Sequence, residues 1–189
     1  MAENDPEEIM LDAEMRMESA VEAFQRELAG VRTGRAHPSL IEGLQVEHYG
    51  QTQALNQLGT INAPEARLLA VQVWDAGAVQ SVVKALQASD LGLNPNIDGQ
   101  LIRLPIPQLT EERRREYAKL VHQKAEDARV SVRNVRRHKH DELRKSEKSG
   151  DMTQDDLHDY EGNLQKLTDT HTGLIDVAMK RKEEELLEL

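Results

Sequence analysis

Ala128-Arg129-Val130-Ser131-Val132-Arg133-Asn134-Val135-Arg136-Arg137-His138-Lys139-His140 reads ARVSVRNVRRHKH in a chain whose formal net charge is -10. At about 100° per residue, Ala128, Val132 and Val135 share one helical face with Val121, Ala125 and Leu143. Arg129, Arg133, Arg136, Arg137, His140 and Arg144 fall on the neighbouring face. The helical text around the stretch opens at Thr110-Glu111-Glu112, an N-cap followed by an acidic first turn, and closes at Ser149-Gly150, where the glycine suits a C-terminal cap. Such a helix is a rod of about 55 Å. Its single apolar stripe requires helical partners.

Two partners are legible. Asp5-Pro6-Glu7-Glu8 reads as a helix start, with Asp5 as N-cap, Pro6 in the first turn and Glu8 completing a capping box. Ile9, Ala13, Met17, Ala20, Phe24, Leu28 and Val31 then recur at steps of three and four. Thr153-Gln154-Asp155-Asp156 reads as a second capping box, and behind it Leu157, Tyr160, Leu164, Leu167, His171, Leu174 and Ala178 form a heptad seam. The economical solution is a three-helix bundle of segments 6–29, 111–148 and 154–187.

Between the first and second helices the pattern changes. Leu44, Val46 and His48 alternate with polar residues before Gly50, and Ala66 to Trp74 is another strand. Ala78, Val79, Val82, Val83 and Leu86 give a short helix, Leu91 to Asn96 is turn-rich, and Leu101 to Leu104 is a last strand. The expected organisation is α+β, with residues 1–30 and 106–189 as an elongated three-helix bundle and 31–105 as a small inserted α/β domain. Gly30 and Val31 on one crossing, and Leu104, Pro105 and Ile106 on the other, are the candidate hinge.

Composition narrows the chemistry. The 189 residues hold one Trp, one Phe and no Cys, so disulfides, thiol nucleophiles and Cys-ligated zinc are excluded. No apolar run reaches the roughly 18 residues of a membrane span, and the N-terminus is acidic where an export address would be basic, so a cytoplasmic location is expected. No GxxxxGK[ST] and no GxSxG occurs. His138 and His140 sit about 200° apart on a helix and cannot share a metal there; His171, on the seam, reads as a satisfied interior histidine. Neither a catalytic residue, a metal nor a cofactor is expected.

Charge is zoned along the chain. Residues 111–148 carry 13 basic and 8 acidic groups, net +5, whereas residues 1–29 and 149–189 are each net -7 and residues 30–110 net -1. Guanidinium groups at one-turn intervals on a stiff rod suit a phosphate backbone, because each planar fork donates two parallel hydrogen bonds. Acidic neighbours would repel nucleic acid elsewhere. With so few aromatic residues for base stacking, recognition by shape and phosphate is expected over sequence reading. Two readings of the arginines stand: phosphate contact, or ion pairing with the acidic first and last helices. The second would fit a helical scaffold or chaperone that binds only protein partners.

Val31-Arg32-Thr33-Gly34-Arg35-Ala36, Tyr49-Gly50, Ser89-Asp90-Leu91-Gly92-Leu93-Asn94-Pro95, Ile102-Arg103, Leu109-Thr110-Glu111-Glu112-Arg113-Arg114, Val132-Arg133-Asn134-Val135-Arg136-Arg137 and Gln165-Lys166-Leu167-Thr168-Asp169 resemble, in order and spacing, the bacterial ribosome recycling factors. The resemblance spans essentially the whole chain. It implies an L-shaped, tRNA-like outline and a monomer. It also implies binding to the post-termination ribosome, with the bundle against large-subunit rRNA, and subunit dissociation driven with elongation factor G and GTP. Carried over by position, Arg133, with Arg129, Arg136 and Arg137 beside it, are the rRNA contacts, and Gly30, Val31, Leu104, Pro105 and Ile106 map to the hinge. Arg32 and Arg35 fall in a family motif as RNA contacts or as braces of the elbow. After Arg137 the family's Asp-Ala-Asn-Asp-like run is replaced by His138-Lys139-His140-Asp141, which predicts a more basic, pH-responsive face.

Overall fold

The computed structural model describes residues 5–187. Residues 1–4 and 188–189, at the outer ends of the expected bundle segments, lie outside that range. The chain divides into two compact units, one running up to Arg32 and resuming at Glu112, the other spanning Thr33–Glu111.

The first unit is helical. Helix α1 covers Pro6–Ala29, α3 Glu111–Ser149 and α4 Gln154–Leu187; α2 belongs to the second unit. Asp5 caps α1 by accepting from the Glu7 amide at 3.0 Å, one residue earlier than the expected box. Gly150, at φ 88°, ends α3, with its amide donating to Glu147 and that of Asp151 to Ser146; the left-handed turn explains the glycine. Thr153 and Asp156 cap α4 reciprocally, side chain to amide in both directions, at 3.1 and 3.0 Å.

The apolar stripes meet inside this unit, with two corrections to the expected lines. On α1 the buried row is Ile9, Ala13, Met17, Val21, Phe24 and Leu28, so Val21 takes the place expected for Ala20. On α4 the buried row is Leu164, Thr168, His171, Ile175, Met179 and Leu186, whereas Leu174 is exposed. A straight helix drifts off a strict seven-residue repeat, so the core line leaves the Leu167–Leu174 positions and moves to their neighbours. Thr168 tolerates burial because its hydroxyl donates to the Leu164 carbonyl at 2.8 Å. His171 is satisfied within the interior as expected, with Nδ1 2.8 Å from the Leu167 carbonyl.

The second unit is built on antiparallel strands. β1 (Gln45–His48) and β2 (Gln51–Ala54) make a hairpin, while β3 (Gly59–Glu65), β4 (Leu68–Val73), β5 (Asn96–Asp98) and β6 (Leu101–Pro105) form a sheet ordered β3-β4-β6-β5. The hairpin turns at Tyr49-Gly50, both at positive φ (50° and 73°), as a primed two-residue turn requires. Helix α2 (Val79–Ala88) buries Val79, Val82, Val83 and Leu86 against Leu69, Val71, Val73 and Ile102 of the sheet's core. Strands β2, β3 and β5 were not legible, being polar or short. β3 carries Gly59 where a Cβ would stand 2.6 Å from the Gln72 carbonyl oxygen, so close strand approach demands glycine there.

Candidate nucleic-acid interface

Helix α3 is held in the helical unit on both sides. Lys124 reaches Glu27 of α1 at 2.7 Å, and Lys139 reaches Asp12. Arg129 reaches Asp176 of α4 at 2.7 Å and His140 faces Glu161 at 2.9 Å. Both helices therefore run antiparallel to α3 and parallel to one another.

The expected arginine stripe divides into two ranks along the α3 edge that borders α4. The inner rank turns toward α4. Arg129, with its side chain 20% exposed, holds Asp176 through Nε at 2.8 Å and Glu126 at 3.0 Å. Burial opposes its charge, and the carboxylates of Asp176 and Glu126 outweigh that, raising its pKa. Arg136 donates to Gln165 at 3.2 Å, and Arg144 approaches Glu161 at 3.6 Å. Among the described residues the outer rank bonds within its own helix: Arg133, 54% exposed, reaches Glu126 at 3.3 Å, and Arg137 donates to Asn134 at 3.2 Å. In these contacts the five arginines meet only the carboxylates Asp176, Glu126 and Glu161, leaving the edge basic. Ion pairing with the last helix and an outward basic row thus coexist on one edge.

The run His138-Lys139-His140-Asp141 is corrected by the structure. Lys139 does not add to the basic face; it is buried, with Nζ held by Asp12 and, at 2.7 Å, by Glu142. Desolvation works against its charge, and hydrogen bonds to Asp12 and Glu142 more than compensate, so its pKa is raised. The hydrogen bond from Lys139 leads the effects that hold Asp12 below the ordinary carboxylate value. A sequence signal existed. Between Val135 and Leu143 the buried line must step through position 139, so a seam residue had to lie there.

The candidate hinge residues are also placed. Gly30 caps α1 in ordinary right-handed backbone at φ -76°, with its amide donating to Glu27 and Leu28. Val31 is buried, and its amide donates to Leu28 at 3.0 Å. Leu104 is fully buried in β6, opposite Leu69, and Pro105 pairs with Leu68. The Ile106 amide donates to the Arg67 carbonyl at 2.8 Å. On this crossing the chain is therefore tied into the sheet through Ile106. Arg32 is exposed while Thr33 beside it is buried.

Among the described residues, no group of three or more His, Cys, Asp or Glu side chains is placed to hold a metal ion. No helix among the described residues is long and apolar enough to cross a membrane.

Fold and surface together define a class: an α+β protein in which a sheet unit interrupts a three-helix unit, with one basic helix edge set among acidic helices. The family model described as "Ribosome recycling factor" matches residues 24–187. The ribosome-recycling factor of Geobacillus kaustophilus is 51% identical over 182 residues, covering 96% of this chain and 98% of the relative. That of Parvibaculum lavamentivorans is 51% identical over 178 residues, covering 94% and 95%. Among solved structures, the solution structure of a ribosome recycling factor aligns with a TM-score of 0.76 at 42% identity, covering 97% of this chain and 98% of the other. A second, at TM-score 0.66 and 41% identity over 96% of this chain and 98% of that one, comes from models of the T. thermophilus ribosome recycling factor and E. coli elongation factor G bound to the E. coli post-termination complex. The chain belongs to the ribosome recycling factor family.

Proposed function

We propose that this chain is a cytoplasmic, monomeric translation factor. It binds the ribosome left on mRNA after termination and, with elongation factor G and GTP, promotes dissociation into subunits. It contributes no catalytic centre of its own; GTP hydrolysis by the partner supplies the free energy. Full-length similarity to the family supports this reading, as does the relative placed with elongation factor G on a post-termination complex.

The structural observation that carries the rRNA contact is the outer arginine rank. Arg133 and Arg137 present guanidinium groups one helical turn apart, anchored within α3, where they can meet phosphates in bidentate fashion. Arg129 and Arg136 complete the contacting edge while bracing α4, so their side chains enter the interface already oriented. Helices α1 and α4, rich in carboxylates, disfavour any other docking of RNA on this unit. The two crossings between units act as the pivot: Gly30 and Val31 at the end of α1 on one side, and the segment leaving Leu104, Pro105 and Ile106 on the other. Because Ile106 is bonded to the sheet, rotation on that side is expected in the residues that follow it.

The deciding experiment is a splitting assay on post-termination ribosomes, scored by light scattering, with this protein, elongation factor G and GTP each omitted in turn. Dissociation should require all three. Splitting that proceeds equally without this chain would sink the proposal.

A further inference from the structure

Helices α1 and α4 leave an open groove between them, with Met10 and Leu11 on one wall, Tyr160 and Leu167 on the other, and Glu7 and Glu14 along its α1 side. Its apolar residues are not a remnant of the core. The unit buries Leu164, His171 and Ile175 of α4, whereas Tyr160 and Leu167 line the groove seven residues apart, and Leu174 continues that spacing one step past the lining residues. Leu174 is 47% exposed, and on α1 Leu11 and Met15 are 59% and 55% exposed, four residues apart. Isolated exposed leucines need no explanation. An apolar row at seven-residue spacing beside the Met10–Leu11 pair of a parallel helix is the geometry that receives another helix as knobs into holes. From Tyr160 to Leu174 the row runs about 21 Å, close to four turns.

Charge selects the occupant. Residues 1–29 and 149–189, which hold the two walls, are each net -7, and among the described residues Lys166 is the one basic residue lining the groove. The Tyr160 phenol has its pKa raised first by desolvation and then by the field of Glu7, Asp5 and Asp156, so a cation entering this end of the groove meets an attractive potential. Nucleic acid meets the opposite.

We infer that the α1–α4 groove is a docking site for a basic amphipathic helix of a protein partner, its apolar residues seated on Leu11, Tyr160, Leu167 and Leu174 and its Lys or Arg residues on Glu7 and Glu14. The inference rests on the helical unit alone and does not depend on the arginine edge or on ribosome splitting.

The probe is a fluorescein-labelled 18-residue synthetic helix of Leu and Lys in heptad spacing, titrated with the full-length protein and read by anisotropy. Its Leu/Glu counterpart is the control. The Lys peptide should bind saturably and the Glu peptide should not. Leu11→Asn with Leu174→Asn, both at exposed positions where the melting temperature should change little, should weaken binding about tenfold or more. Glu7→Gln with Glu14→Gln should weaken it and reduce its salt dependence. Val130→Asn, at an exposed site on α3, should change nothing. The methyl NMR signal of Met10, which lines the groove, should shift on binding, and that of buried Met179 should not. Equal binding of both peptides, no loss in the double Asn variant, or methyl shifts that miss Met10 would each overturn the site.

Discussion

Lys139 offers the sharpest test of how the helical unit is held together. Its side chain is 7% exposed and its charge is matched by Asp12 of α1 and Glu142 of its own helix. Removing one partner of a buried pair leaves an uncompensated charge, typically costing about 3–5 kcal/mol. Here Glu142 remains at 2.7 Å and Asp12 is itself partly exposed, which reduces the expected loss for Asp12→Ala to about 1–3 kcal/mol. For a chain of this length that is a fall of about 3–10 °C in the transition of the helical unit. Lys139→Met removes the charge and fills the seam with an apolar side chain, and Asp12 keeps Arg16 at 2.8 Å. It should therefore stay within about 1 kcal/mol of the parent or exceed it.

Acid adds a second arm to this test. The folded pKa of Asp12 lies below its ordinary 3.8, so its contribution is complete above that value and lost as pH falls through the folded pKa. The stability gap between parent and Asp12→Ala should be full at pH 7 and close below pH 3.8. Lys139 has the opposite sign: raised above 10.5, it contributes below that value and loses its contribution as pH rises through the folded pKa. Urea melts of all three proteins followed by circular dichroism at pH 7 and below pH 3.8 measure this. A Lys139→Met variant less stable than Asp12→Ala, or a gap independent of pH, would refute the assignment of a charge buried for its partners.

Three further outcomes are expected. Arg133→Ala should leave stability within about 0.5 kcal/mol and lower the magnitude of the log–log salt slope of ribosome binding by up to about one unit, whereas Arg129→Ala should also destabilise the unit by about 1–3 kcal/mol through the lost bonds to Asp176 and Glu126; a slope unchanged after replacing Arg129, Arg133 and Arg136 together would favour the protein-only scaffold. Gly59→Ala should cost about 1–3 kcal/mol in the sheet unit, seen as weakened amide-exchange protection of β3 and β4, because a Cβ at that position meets backbone that cannot move aside. Gly30→Ala fits the right-handed backbone at φ -76° with its nearest neighbour at 3.4 Å, so it should stabilise the end of α1 by about 0.5–1 kcal/mol and slow subunit splitting while sparing ribosome binding; an unchanged splitting rate would remove this residue from the pivot.

Sequence by itself determined the three helices and their ends. Capping is local chemistry: Asp5, Gly150 and the Thr153–Asp156 pair act on amides within a few residues of themselves, and a 3.6-residue period in apolar residues is written in the chain. It also determined that a basic segment lies between acidic ones, and the ordered motifs of the family. Tertiary structure alone decided which of two nearly superposed rows on α4 is core and which stays outside it, since Leu167 and Leu174 differ from Leu164 and Ile175 only by a rotation that neighbouring helices set. It alone sorted the arginines into a rank bonded to α4 and a rank bonded within α3, and turned Lys139 inward to Asp12, 127 positions away in the sequence. Strands β2, β3 and β5 belong with these, because pairing across a sheet stabilises polar segments that carry no periodic signal of their own.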